Sequence, residues 1–356
     1  MPSRNMIEAI STVFGSLDGY CSNREEPLLN AGRPRWIQTE HSGRHFLKDA
    51  VLVSNLSFSA SLKLARFDFS NRSFFFTSGF DFPEPPSILQ PEDLDGGRLT
   101  AFLYEMKPSP IASPSEIRNV VEVADKVSTS DYGGHDFESV LGLFPKIRVF
   151  STEGLSKDDS FKMFLLICLS DRRRIDQWID EELAKTLSSV TELSPLAIPY
   201  ETLCRSILDM DPSALFMALY RCLEALYAHS HTSKLMTDLA ISKPWFEMAQ
   251  MLEATLGWYP REEPSLEALL CHADLEDLEA VLAALEETLP EGSNLQTCVA
   301  KRIYRLRNAV VHYRPFQQQT FPRKVNWNRL CESMSVLVFG VYSKINIPSQ
   351  GSPEFT

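Results

Sequence analysis

The sequence predicts an α+β protein, with a mostly β N-terminal domain followed by an all-α C-terminal helical bundle. Two patterns carry that reading. From Arg35 to Phe82 apolar and polar residues alternate, with many β-branched and aromatic side chains, as in a strand with one buried face. From Asp211 onward apolar residues recur every three to four positions between short polar breaks, as in packed helices. Pro195 and Pro199 separate the two regimes. The chain then divides into an N-terminal segment over 1–30, a β-rich domain over 31–170, a connecting helix and linker over 171–200, a bundle over 201–347 and a tail over 348–356. The tail ends G-S-P-E-F-T, which resembles a cloning scar and is left out of the fold.

Met6 to Phe14 suits a short helix, followed by a polar loop with Gly15, Gly19 and Pro27. Leu62, Leu64, Phe67 and Phe69 fall into two phases of alternation, so a bulge or turn is expected near Ala65. Asn71-Arg72 suits a hairpin turn. Pro83 to Gly97, rich in proline, glycine and acid, reads as a surface loop. Arg98 to Met106 resumes as a strand, and the prolines between Lys107 and Pro114 end it. Residues 116–127 suit a strand or a short helix, and Tyr132 to His135 a turn. Lys146–Ser151 and Phe161–Leu169 read as two further strands, the second buried on both faces. A sandwich or partly open barrel would accommodate them.

Asp171 opens an amphipathic helix that places Ile175, Trp178, Ile179, Leu183 and Leu187 on one face. Asp211-Pro212 is an N-cap followed by proline at the first helical position, starting a helix that runs to about His231. Further helices cover Pro244–Trp258, Leu266–Leu289, Cys298 to near Arg314, and Asn326–Lys344. Five helices, four of them long and joined by short loops, make a bundle.

No stretch of the 356 residues is apolar for the roughly 18 positions a membrane-spanning helix needs, and the first residues lack the apolar core of a signal peptide. Seven cysteines are scattered without a C-x-x-C spacing, so reduced thiols and a cytoplasmic location are expected. The net charge of −12 argues against a nucleic-acid coat. Its distribution points elsewhere. From Gly292 to Cys331 there are eight basic residues and no acidic one, while the remainder carries 27 basic and 47 acidic residues. Such an island suits a polyanion or an acidic partner surface.

The island is centred on C-V-A-K-R-I-Y-R-L-R-N-A-V-V-H-Y-R-P, Cys298 to Pro315. On a wheel of about 100° per residue, Val299, Ile303, Leu306, Val310 and Tyr313 form a core-facing stripe. Lys301, Arg305, Asn308 and His312 fall within about 60° of one another on the opposite side, and Arg307 lies about 140° from His312. Asn308 and His312 are one turn apart and within reach of each other.

No phosphate loop, G-x-G-x-x-G, H-E-x-x-H or G-x-S-x-G occurs. His41 and His45 are four apart and His229 and His231 two apart, each pair without an obvious third ligand. What remains is Arg307-Asn308-Ala309-Val310-Val311-His312. An arginine, a polar residue and a histidine in R-x4-H spacing near the end of a late bundle helix resembles the HEPN signature. The flanking I-Y-R-L and Y-R-P agree, and F-M-A-L-Y-R-C-L-E-A-L is similar to the opening helix of HEPN domains in defence proteins. The resemblance covers residues 205–346.

That resemblance implies a metal-independent endoribonuclease of the defence or toxin type, working without a cofactor. RNA supplies its own 2′-hydroxyl nucleophile. Histidine moves protons near neutrality, arginine answers charge on the phosphorane, and a polar side chain orients them. Arg307, Asn308 and His312 take the catalytic roles. Lys301, Arg302, Arg305 and Arg314 guide the phosphates, with Arg221 and Glu224 as supporting candidates. HEPN nucleases build a composite site across a dimer, which fits the wide angle between Arg307 and His312. The expected partners are a single-stranded or tRNA-like RNA, a second copy of the chain through the bundle, and a trigger or regulatory protein through the N-terminal domain, with no membrane. The alternative is a non-catalytic HEPN scaffold whose basic island docks RNA or an acidic partner.

Overall fold

A computed structural model describes residues 4–24, 27–29, 33–82, 84–125, 132–172, 178–194, 198–312 and 325–345. The chain forms two compact units, Met1–Arg172 and Arg173–Thr356. None of the described helices is long and apolar enough to cross a membrane.

The first unit contains, in order, α1 (Met6–Ser22), α2 (His41–Asp49), β1 (Val51–Ser57), β2 (Lys63–Phe69), β3 (Arg72–Ser78), β4 (Gln90–Glu92), α3 (Gly96–Met106), α4 (Pro114–Asp125), α5 (Phe137–Leu141), β5 (Ile147–Glu153) and α6 (Ser160–Ser170). The strands form one antiparallel sheet of order β1-β2-β3-β5-β4. Phe67, Phe74 and Phe76 point to one face, where they join Phe46 of α2, Phe102 of α3 and the apolar sides of α1 and α4. Phe75 points the other way and meets Phe164 of α6. On that face the buried Arg66 donates from Nη1 to Ser160 Oγ at 3.0 Å. Helices therefore cover both faces of the sheet.

The unit is consequently not mostly β, and neither a sandwich nor a barrel. Phe161–Leu169 is a helix instead of a strand: an apolar segment buried all round has no period to separate the two. Arg98–Met106 is also helical, with Leu99, Phe102, Leu103 and Met106 at helical spacing. Asp95 caps it, its Oδ1 accepting from Gly97 N at 2.8 Å and Arg98 N at 3.0 Å. The Pro83–Gly97 stretch thus carries a short strand and a helix start, and Gly96 and Gly97 are buried. A Cβ on Gly97 would come within 2.0 Å of the Gly43 carbonyl oxygen, so α2 and α3 meet through two glycines. Residues 116–127, open between strand and helix from sequence, fall largely in α4, and α1 runs well past Phe14. No bulge or turn falls at Ala65, which sits inside an unbroken β2: Leu64 and Arg66 are buried on one face and Ala65 and Phe67 on the other, and the register shift lies in β1 between Leu52 and Ser54. The hairpin turn falls on Ser70 and Asn71, both at positive φ (50° and 61°), one residue earlier than expected.

The second unit contains α7 (Glu181–Val190), α8 (Tyr200–Ile207), α9 (Pro212–Glu224), α10 (His229–Asp238), α11 (Trp245–Leu256), α12 (Glu262–Leu270), α13 (Leu275–Ala284), α14 (Leu295–Val311) and α15 (Trp327–Lys344). Its axis is α15, on which α7, α9 and α13 pack and whose Leu330, Met334, Leu337, Val338 and Val341 are fully buried. Within the stretch expected as a connecting helix from Asp171, α7 opens at Glu181 behind an Asp180 cap and packs in the bundle; residues 173–177 lie outside the described residues. The helix expected from Asp211 to His231 stops at Glu224, because Leu226, Tyr227 and His229 donate backwards three residues and tighten the chain into a turn. The helix expected over Leu266–Leu289 is two, broken at 271–274. The helices expected over Pro244–Trp258, Cys298 to near Arg314 and Asn326–Lys344 are present as α11, α14 and α15 within a few residues, while the other two of the five expected are each broken into shorter ones.

Candidate functional site

Asn294 starts α14, its Oδ1 accepting from Thr297 N at 2.9 Å. Val299, Ile303 and Leu306 bury as the wheel expects, Val310 is only half-buried, and Lys301 and Arg305 are exposed. The helix ends at Val311. His312 is its C-cap in extended conformation (φ −108°, ψ 115°), with its backbone N–H donating to Asn308 O at 2.9 Å. Its exposed imidazole meets no hydrogen-bonding partner among the described residues. The angle of about 140° between Arg307 and His312 assumed a helix continuing through His312, so it does not describe the pair. Tyr313, Arg314 and Pro315 lie outside the described residues.

Arg307 points back into the bundle. Its Nη2 donates to Glu262 Oε1 at 3.3 Å and lies 3.6 Å from Glu224 Oε1. Its Nη1 donates to Asn308 Oδ1 at 3.0 Å, and its guanidinium carbon lies 5.7 Å from the Tyr220 ring centre. Beneath it Tyr227 donates its hydroxyl to Tyr220 Oη at 2.8 Å. α9, α12 and α14 thus meet around one cation and two carboxylates. Arg307 Nε and Glu262 Oε2 are buried without a hydrogen-bond partner among the described residues.

Burial raises the Glu224 pKa, and Glu262 adds to the rise, while Arg307 and Arg221 oppose it. Burial also lifts the Tyr220 hydroxyl to about 12 and raises that of Tyr227. The tyrosines stay protonated and act as donors and ring surface under the arginine.

The island that lacks acids in sequence gains them in space. Arg302 Nε lies 2.5 Å from Glu287 Oε2, and Arg305 Nη2 lies 3.5 Å from Glu287 Oε1. Of the expected phosphate guides, Lys301 stands exposed without such a carboxylate among the described residues, Arg302 and Arg305 share one, and Arg314 is outside the described residues. Arg221 is exposed on α9, one turn before Glu224. Sequence reading missed Glu262, Glu287, Tyr220 and Tyr227. Glu262 and Arg307 are 45 positions apart, and only the packing of α12 on α14 joins them. Among the described residues no group of three or more His, Cys, Asp or Glu side chains could hold a metal.

Chemically, α14 offers an exposed imidazole at its end and, one turn back, an arginine and an amide fixed by a carboxylate pair. Comparison of the chain with protein-family models, with curated proteins and with solved structures finds no match.

Proposed function

We propose that the helical unit is a metal-independent endoribonuclease of HEPN type, a cytoplasmic defence or toxin effector that cleaves single-stranded or tRNA-like RNA. The observation that supports it is the end of α14. Arg307 and Asn308 are hydrogen-bonded to each other and anchored by Glu262, while His312 projects into solvent at the cap. In this reading His312 takes the proton of the 2′-hydroxyl or returns one to the leaving 5′-oxygen. Arg307 supplies charge to the phosphorane, and Asn308 holds the arginine in register. A second copy of the chain completes the site. The products carry a 2′,3′-cyclic phosphate and a 5′-hydroxyl.

A second reading is a non-catalytic scaffold. The observation that favours it is the commitment of Arg307 to Glu224 and Glu262 and of Arg302 and Arg305 to Glu287, as in structural ion pairs. RNA cleavage separates the two. The wild type should cut RNA in EDTA and leave DNA of the same sequence whole. His312→Ala should lose about 100-fold or more, the worth of a general acid–base group, and Arg307→Ala a comparable factor. Activity surviving in both variants, or vanishing with EDTA, rejects the mechanism. RNA binding that falls with salt, without product, supports the scaffold.

A further inference from the structure

The first unit carries a pair of imidazoles that its fold does not use. His41 and His45 occupy the first two turns of α2, four residues apart and about 40° apart on the helix. Gly43, Phe46 and Leu47 anchor the opposite side of α2 in the core, so the histidine side faces solvent, and both histidines are exposed. Their Nε2 atoms lie 3.0 Å apart, with ring planes at 85°. Two nitrogen lone pairs cannot face each other at that separation without a cation between them. Either one imidazole presents a proton to the other, or both present lone pairs to a metal.

We infer that His41 and His45 form a bidentate site for a divalent transition-metal ion of tetragonal preference, of the Cu(II) or Ni(II) class. Donor type and number carry the choice. Two imidazoles four apart on one helix face can reach one ion at about 2.0–2.1 Å, and with no group of three or more protein ligands among the described residues the other positions fall to water, which a tetragonal ion accommodates. Imidazole also suits square-planar and tetragonal centres. Glu40, the N-cap, makes no capping hydrogen bond and is exposed, so its carboxylate adds negative charge beside the pair. Arg44 and Lys48 on the same helix oppose it, through solvent-screened charge. Water completes the coordination. The site lies in the first unit, separate from Arg307 and His312, and is independent of the ribonuclease reading.

The test is titration of the untagged full-length protein with Cu(II), Ni(II) and Zn(II), followed by calorimetry and, for Cu(II), by electron paramagnetic resonance. One Cu(II) should bind per chain with a tetragonal signal showing equatorial nitrogen, and Ni(II) should bind more tightly than Zn(II). His41→Ala and His45→Ala should each weaken Cu(II) binding at least tenfold. His229→Ala should not, although His229 pairs with His272 at 5.5 Å between ring centres. Binding unchanged in both α2 variants overturns the site. Zn(II) tighter than Ni(II) overturns the tetragonal assignment. Circular dichroism of the two variants confirms that loss of metal is not loss of fold.

Discussion

Glu224 illustrates how one residue's surroundings set its contribution. It sits between an arginine that favours its charge and a second carboxylate that opposes it, in a place that burial has partly dried. Burial is the largest of these effects, and the pKa is raised. A carboxyl with a folded pKa above its unfolded value binds more protons in the native state, so stability falls as pH rises from the unfolded pKa through the folded one. At neutral pH the charge on Glu224 is therefore a net cost to folding. Glu224→Gln should keep or raise stability at pH 7, by no more than about 1 kcal/mol, because the amide retains volume and some hydrogen bonding to Arg307. It should also flatten the decline in stability as pH rises above 4.5, the ordinary carboxylate value. Urea denaturation at that pH and at pH 7 reads this directly; a variant clearly less stable than wild type at pH 7 would show that the Arg307 attraction outweighs burial. The sequence marked this residue as a supporting candidate beside Arg221, without the partners it meets. Its partners Arg307 and Glu262 come from helices far along the chain, and no local pattern announces them.

At the scale of elements, the crossing of α2 and α3 explains a pair of glycines. Gly97 leaves no room for a Cβ against the backbone of Gly43, whereas Gly15 in α1 has nothing within 4 Å of the position a Cβ would take. Gly97→Ala should therefore cost about 1–3 kcal/mol or more by forcing α2 off α3. Gly15→Ala should gain up to about 1 kcal/mol from helix propensity. Thermal unfolding of both variants, with opposite shifts in Tm, checks the crossing. Read as punctuation, Gly96-Gly97 suggested a loop, and that cost the sequence reading a helix. The apolar spacing of Leu99, Phe102, Leu103 and Met106 was present in the sequence, as was the Asp95 cap. Phe161–Leu169 was different, since a segment buried all round has no face to betray its period. Strands β1–β3 were legible because alternation and a turn signal near Asn71 coincide, within one residue of the turn observed, and β5 was legible in the stretch Lys146–Ser151. The core stripe of α14 was legible as well, but its end was not. Only the structure shows His312 leaving the helix, and no proline or glycine lies between Arg307 and His312 to mark the stop.

At the scale of the whole molecule, the question is how many chains make one site. A single helix end brings Arg307 to a carboxylate pair and His312 to solvent, with no hydrogen bond between them among the described residues. The ideal-helix angle that first suggested a dimer does not apply to a residue outside the helix, so the dimer rests on the HEPN resemblance and needs a test that does not assume it. Subunit complementation provides one. In a composite site His312→Ala and Arg307→Ala each disable both sites of their own homodimer. A mixed dimer of the two can instead place one intact Arg307 from one chain beside one intact His312 from the other, if each chain supplies a different group. Mixing the inactive variants, with brief denaturant to exchange subunits, should then restore a measurable fraction of cleavage in EDTA. Sedimentation at matched concentrations should show dimers of the wild type and both variants. Recovery would establish that the two groups act across chains. Dimers without recovery would place Arg307 and His312 of one chain at the same phosphate, and a monomer that cleaves RNA would confine the whole site to one bundle.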